Sequence, residues 1–402
     1  MTKTTGAGGL SKSRLGRMHD VMVGKVAEGE MPGLVTLVSR GGETHVDTIG
    51  KIAFDGTPMQ RDTIFRISSM SKPVTAVAAM ILVEECRLRL DDPVDRWLPE
   101  FADRKVLRAI DADIGDTVPA KRAITLRDLL TFRSGYGMIM AYPERYPVQK
   151  AIAEAGLAPG PVFPSFPPDE LIRRYASLPL VYQPGERWLY SAGTEILGVL
   201  IARVAGKTFG EFLAERIFVP LGMKDTAFHV PAAKHVRFAT SYVFDHTTQK
   251  LKAFDNPVTD KFSSPPAFEN GSGGLVSTAD DFNAFAQMML NGGRHGRERI
   301  LSRPSVELMT TDQIVPEQKL GSEIFFGDNR GWGMGLSVCT RRDDLCNVPG
   351  RFGWDGGYGT SWYSDPKEGL TGILLTQRMM GGPQPPHALL DFWTLAYQAI
   401  DD

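Results

Sequence analysis

Ser69-Met70-Ser71-Lys72 is an S-x-x-K. On a helix, residues three apart share a face, so the Ser69 hydroxyl and the Lys72 amine can meet. An amine that is neutral can take the hydroxyl proton, which makes the pair a nucleophile beside its base. At the start of a helix, Ser69 also lies where free backbone N–H groups point outward, and such groups bind an oxyanion. The spacing alone is weak evidence. A chain with 21 serines and 16 lysines holds about one such match by chance. A second does occur, at Ser364-Asp365-Pro366-Lys367, where Asp-Pro marks a turn.

The surroundings set Ser69 apart. Ile64, Phe65 and Ile67 make a strand-like approach. PVTAVAAMILVEE then reads as a helix, with Pro73 in its first turn and Val74, Val77, Ala78, Ile81 and Leu82 on one apolar face. Ser68 or Ser69 is expected to cap it.

The remaining elements can be taken in order. Residues 11–29 have helical periodicity through Leu15, Met18, Val21, Met22 and Val26. Leu34 to Ser39 and Thr44 to Ile49 read as a hairpin turning at Gly41-Gly42. Thr125 starts a short helix, and residues 141–168, rich in proline and aromatics (Tyr142, Tyr146, Phe163, Phe166), read as one long loop. Helices are expected from Asp169 to Ser177, from Thr194 to Val204 and from Phe209 to Ile217. Another follows Ser277 or Thr278 as cap, and a last one runs from Leu389 to Ile400. Residues 331–339, 352–364 and 369–379 each read as a strand. Strands thus lie near both ends of the chain and helices dominate between. The expected organisation is a discontinuous sheet domain (1–80 and 296–402) and a mainly helical domain (81–295), with the site in the cleft between them.

Composition narrows the function classes. With 42% hydrophobic and 23% charged residues in 402, the chain reads as an ordinary globular protein. A net charge of −2 gives no basic footprint, so nucleic acid is not expected as a partner. Cys86, Cys339 and Cys346 have no metal spacing and read as free thiols. The first twenty residues show no apolar h-region and no run reaches membrane-span length, so a cytoplasmic protein with no membrane contact is expected. Seven scattered histidines give no metal signature, and no cofactor is expected. No G-x-S-x-G occurs, which argues against an α/β-hydrolase.

Several segments together resemble the serine β-lactamase and penicillin-binding-protein group, nearest to class C β-lactamases and family VIII carboxylesterases. They are Ser69-Met70-Ser71-Lys72, ITLRDLLTFRSG (Ile124 to Gly135), Tyr190-Ser191 before an apolar helix, Pro220-Leu221-Gly222-Met223-Lys224-Asp225-Thr226, and Gly274-Leu275-Val276-Ser277-Thr278-Ala279-Asp280. The resemblance implies an α+β, transpeptidase-like fold with an antiparallel sheet flanked by helices. It implies Ser69 as nucleophile, with Lys72 and Tyr190 as proton-transfer groups and which of them is the base left open. The oxyanion hole would be the amides of Ser69 and Gly357, with Trp354, Gly356 and Tyr358 lining the substrate site. Two departures count. Tyr-x-Asn is here Tyr190-Ser191-Ala192, and Lys-Thr-Gly is Trp354-Asp355-Gly356. A tryptophan cannot offer the lysine's charge to a lactam carboxylate, and Trp-x-Gly is similar to the family VIII esterases. The expectation is a serine carboxylesterase acting on short-chain, small-molecule esters. Alternatives are an acyltransferase, a weak β-lactamase or D-amino-acid peptidase of the same fold, or a binding protein that has lost catalysis. An intact Ser69, Lys72 and Tyr190 speak against the last.

Overall fold

GLVTLVSR is apolar or small on both faces, as only a central strand can be, whereas ETHVDTIG carries charge and threonine along its length, as an edge strand must. These two segments form β1 (Gly33–Arg40) and β2 (Glu43–Gly50) of a seven-stranded sheet. In the computed structural model, which describes residues 8–160, 164–257 and 261–402, the other strands come from the far end of the chain. They are β3 (Arg330–Trp332), β4 (Ser337–Cys339), β5 (Phe352–Gly356), β6 (Thr360–Asp365) and β7 (Leu370–Thr376). Their order is β3-β4-β5-β6-β7-β1-β2, antiparallel throughout. Leu34 stands opposite Thr376, and Trp354 opposite Trp362.

Side chains alternate cleanly between the faces. Leu34, Val38, Tyr363, Leu370 and Leu374 pack with Met18, Met22, Phe392 and Trp393 of helices α1 (Lys12–Ala27) and α6 (His387–Gln398). Val35, Leu37, Trp362, Ile373 and Leu375 join the larger core on the other face. That core holds α2 (Ser71–Glu84), α4 (Ala192–Ala205) and α5 (Ala279–Leu290), with α3 (Pro168–Ser177) packed alongside α4. Among the described residues, no helix is long and apolar enough to cross a membrane.

Several sequence expectations change. Neither Ser68 nor Ser69 caps α2 through its side chain; a 3-10 turn over Ser68–Met70 leads into the helix, and Ser71 Oγ bonds back to the Ser68 carbonyl at 2.7 Å. Residues 331–339 are two strands, because Gly335 (φ 74°) reverses the chain inside an apolar run. Residues 352–364 are likewise two strands, turning at Gly357–Gly359, with Gly359 at φ 88°. The expected loop 141–168 contains a helix, Pro147–Glu154, started by its proline; Phe163 lies outside the described residues. Of the two expected caps of α5, Thr278 is the one used, as expected. The three cysteines are free.

Candidate active site

The approach to Ser69 is a two-residue strand, Phe65–Arg66, paired with Val276–Ser277. Ser68 then takes a left-handed conformation (φ 47°), unusual without glycine and typical of segments held by their surroundings. Helix α2 is apolar nearly all round and therefore buried on every side. That is why Lys72, in its first turn, is 2% exposed. Its Nζ donates to Ser69 Oγ at 2.9 Å and to the Ser272 carbonyl at 2.6 Å. Burial pulls the amine down from 10.5 to about 7, while the nearby Glu195 charge works in the opposite direction. A neutral lysine is therefore accessible near neutral pH.

Tyr190 enters from the other side. Its carbonyl accepts from Met138 N–H at 2.8 Å, and the chain then bends sharply at Ser191 (φ 106°) into α4. Ser191 Oγ and Ser272 Oγ lie 2.5 Å apart, tying that bend to the loop that also bonds Lys72. The Tyr190 hydroxyl accepts from Trp354 Nε1 at 2.8 Å and is hydrogen-bonded to Ser69. Lys72 Nζ sits 4.5 Å from the tyrosine ring centre. Burial pushes the phenol up to about 12, against the pull of Ser69 and Trp354. The ring belongs to an aromatic cluster of Phe132, Trp188, Phe325, Phe326, Trp332 and Trp354. Ser69, Lys72 and Tyr190 are thus brought together, with the lysine poised to lose a proton and the tyrosine to keep one.

The remaining expected residues divide. Ser69 and Gly357 both line one cavity of about 440 Å³. Trp354 and Tyr358 line it as well. The Tyr358 hydroxyl, however, turns away to Asp255 Oδ2 at 2.6 Å. Gly356 is not a lining residue. Its bare α-carbon packs under the Ile67 carbonyl, which a Cβ would approach to 2.4 Å. It serves to bring β5 against the Ser69 segment rather than to touch a ligand.

Sequence reasoning missed a third layer. Glu195, in the first turn of α4, lines the cavity and accepts from Tyr175 Oη of α3 at 2.7 Å. Burial raises its carboxyl, while Tyr175, the Lys72 charge and Asn270 pull it down. Asn270 Oδ1 in turn holds the Ser272 N–H at 2.7 Å. No spacing pointed to Glu195, because Tyr190 lies outside α4 and the partners of Glu195 come from distant segments. Much of the remaining cavity wall is apolar, with Met138, Ile152, Leu157, Leu178, Val181 and Met380, while Arg330 and Asp355 add charge to it. No cluster of three or more metal-ligating side chains occurs among the described residues.

Ser69, a buried Lys72 and Tyr190 thus stand together beside an antiparallel sheet flanked by helices. The family model described as Beta-lactamase matches residues 18–391. The chain belongs to the beta-lactamase family. An uncharacterized protein of Mycobacterium tuberculosis (strain CDC 1551 / Oshkosh) is 40% identical over 364 residues, 87% of this chain and 86% of the relative. Esterase EstB of Burkholderia gladioli is 30% identical over 391 residues, 92% of each chain. Among solved structures, EstCE1, described as a hydrolase with promiscuous acyltransferase activity, superposes with a TM-score of 0.80 at 24% identity, over 96% of this chain and 99% of that one; at that identity the likeness is one of fold. Within the beta-lactamase family, then, this chain belongs with serine hydrolases that have esterase and acyltransferase relatives.

Proposed function

We propose that the protein is a serine carboxylesterase that cleaves short-chain acyl esters through an acyl-enzyme on Ser69. The observation that carries this reading is the 2.9 Å approach of a fully buried Lys72 Nζ to Ser69 Oγ. Lys72 takes the Ser69 proton as Oγ attacks the ester carbonyl. The oxyanion is met by the amides of Ser69 and Gly357; a donor of this kind contributes about 3–4 kcal/mol. Tyr190 gives its proton to the leaving alkoxide and recovers one from the Lys72 ammonium. Water then repeats the sequence on the acyl-enzyme and releases the acid. The two proton affinities support Lys72 as the base, since an amine near 7 is in good part neutral near neutral pH and a phenol near 12 is not ionised there. The reaction would run in a cleft between the sheet part (1–80 and 296–402) and the helical part (81–295).

The test is hydrolysis of p-nitrophenyl butyrate by the purified protein, with a fluorophosphonate label mapped by mass spectrometry. Turnover with the label on Ser69 is expected; a label on another serine would overturn the assignment. Penicillins should be turned over at least about tenfold more slowly than butyrate esters, because Trp354 offers no charge to a carboxylate, and a charged hydrogen bond is worth roughly 1.5–3 kcal/mol. A second reading, acyl transfer to an alcohol, is favoured by the apolar cavity wall. It is tested by adding an alcohol acceptor and measuring new ester against free acid.

A further inference from the structure

The oxyanion site described above depends on two amides from widely separated segments. Ser69 closes the segment that begins at Phe65-Arg66, and Gly357 sits in the turn between β5 and β6. Two ties hold these segments at a fixed distance. The first is direct: Thr360 Oγ1 donates to the Ile67 carbonyl at 3.1 Å, over the bare α-carbon of Gly356. The second runs through side chains. Arg66 is 3% exposed, and its Nε lies 3.6 Å from Asp255 Oδ2. That same oxygen accepts the Tyr358 hydroxyl at 2.6 Å. Arg66 is itself anchored, with Nη1 donating to the Ala239 carbonyl at 2.6 Å and its guanidinium 3.9 Å from the Phe238 ring centre.

Asp255 ends a hairpin strand, Lys250–Asp255, none of whose residues lines the cavity. Its carboxylate therefore joins the neighbour of one oxyanion amide to a residue three positions before the other. A buried ion pair is a poor stability device, because desolvating two charges offsets most of their attraction. What such a pair offers is a fixed geometry. Burial lowers the Arg66 guanidinium only to about 10, so the cation persists at neutral pH. Burial and the Asp255 charge keep the Tyr358 phenol protonated, so it remains a donor.

We propose that Arg66, Asp255 and Tyr358 form a brace that sets the separation of the Ser69 and Gly357 amides, which makes Tyr358 a positioning residue for the reaction rather than a substrate contact. This rests on the serine esterase reading. The oxyanion exists only at the tetrahedral stage, so a slack brace weakens transition-state binding and leaves ground-state binding alone.

The experiment compares Tyr358→Phe with wild type on p-nitrophenyl butyrate and on a boronic acid that mimics the tetrahedral state. Loss of a whole oxyanion donor costs roughly 10²–10³ in kcat, and a donor only displaced loses part of that. The expected result is a fall in kcat of about tenfold with KM within about twofold, and boronate affinity weakened by the same factor as kcat. Removing the direct tie as well, in Tyr358→Phe/Thr360→Val, should deepen the loss. A purely structural role would lower the melting temperature without this split. A kcat within about twofold of wild type, or a loss confined to KM, overturns the brace. Asp255→Asn probes the same link, and Tyr358→Phe remains decisive should that variant fail to fold. Wild-type protein that labels at Ser69 alongside an unaffected Tyr358→Phe sinks the brace alone; wild type with neither label nor turnover removes the esterase reading and the brace with it.

Discussion

The cavity wall made by α2 (the helical side) and the wall made by the turn between β5 and β6 (the strand side) are built by different means. On the helical side, Ser69 and Lys72 meet because they are one turn apart, and the burial of α2 tunes the amine. On the strand side nothing is local. Gly357 is aimed by Thr360 on Ile67, by Met380 N–H on its own carbonyl at 2.9 Å, and by Tyr358 on Asp255. Tyr190 bridges the two, hydrogen-bonded to Ser69 on one side and to Trp354 of β5 on the other. The difference implies a division of labour: substitutions on the helical side should abolish chemistry, whereas those on the strand side should grade it.

The strongest contrast comes from Ser69→Ala, which should reduce ester hydrolysis by about 10⁴-fold or more with the fold intact; steady-state kinetics and circular dichroism check it. Lys72→Met should lose nearly as much activity and yet melt at a higher temperature. The reason is linkage. A lysine pulled from 10.5 to about 7 binds fewer protons folded than unfolded between those values, so wild-type stability rises with pH through that window and carries its full penalty below it. Calorimetry at pH 7 and pH 10 should show the variant's advantage shrinking at the higher pH. The wild-type rate should rise with pH through one ionisation near 7, reporting the same group.

Tyr190→Phe is next, with a fall of about 10²–10³. If it acts as one unit with Lys72, the double variant should be little worse than either single. A double-mutant cycle on the acylation rate reads this, and fully additive losses would detach Tyr190 from the mechanism. Trp354→Phe should be mildest, about 3–10-fold, the effect of one neutral hydrogen bond of about 0.5–1.5 kcal/mol to the tyrosine hydroxyl. A Trp354 effect as large as that of Lys72 would erase the contrast between the two sides.

Legibility followed the same division. Ser69 and Lys72 could be read because their relation is a helical spacing, whereas Tyr190 was reached only through its place in the family's second motif. The β1–β2 hairpin was clear from Gly41-Gly42 between two strand-like runs. The turns at Gly335 and Gly357–Gly359 were hidden because apolar and aromatic residues surround them, so pairs of strands read as single ones. The helix Pro147–Glu154 was masked by flanking prolines and aromatics. Glu195, Tyr175 and Asn270 left no mark, since what joins them is proximity across α3, α4 and a loop. Tyr358, expected to meet the substrate, lines the cavity, and only its contact with Asp255 shows that its polar end faces away.

The aromatic cluster behind Tyr190 has an optical consequence. Of the six tryptophans, three (Trp188, Trp332 and Trp354) stand in it. Trp332 and Trp354 have ring centres 4.8 Å apart at 90°, and Trp188 and Trp332 are 5.2 Å apart at 70°. Rings this close exchange excitation, and the Trp354 indole donates to the same phenol that is bonded to Ser69. A change in the bonding of that one hydroxyl should therefore register in the emission of the protein, and stopped-flow fluorescence would then read the proposed acylation and deacylation with no label at all.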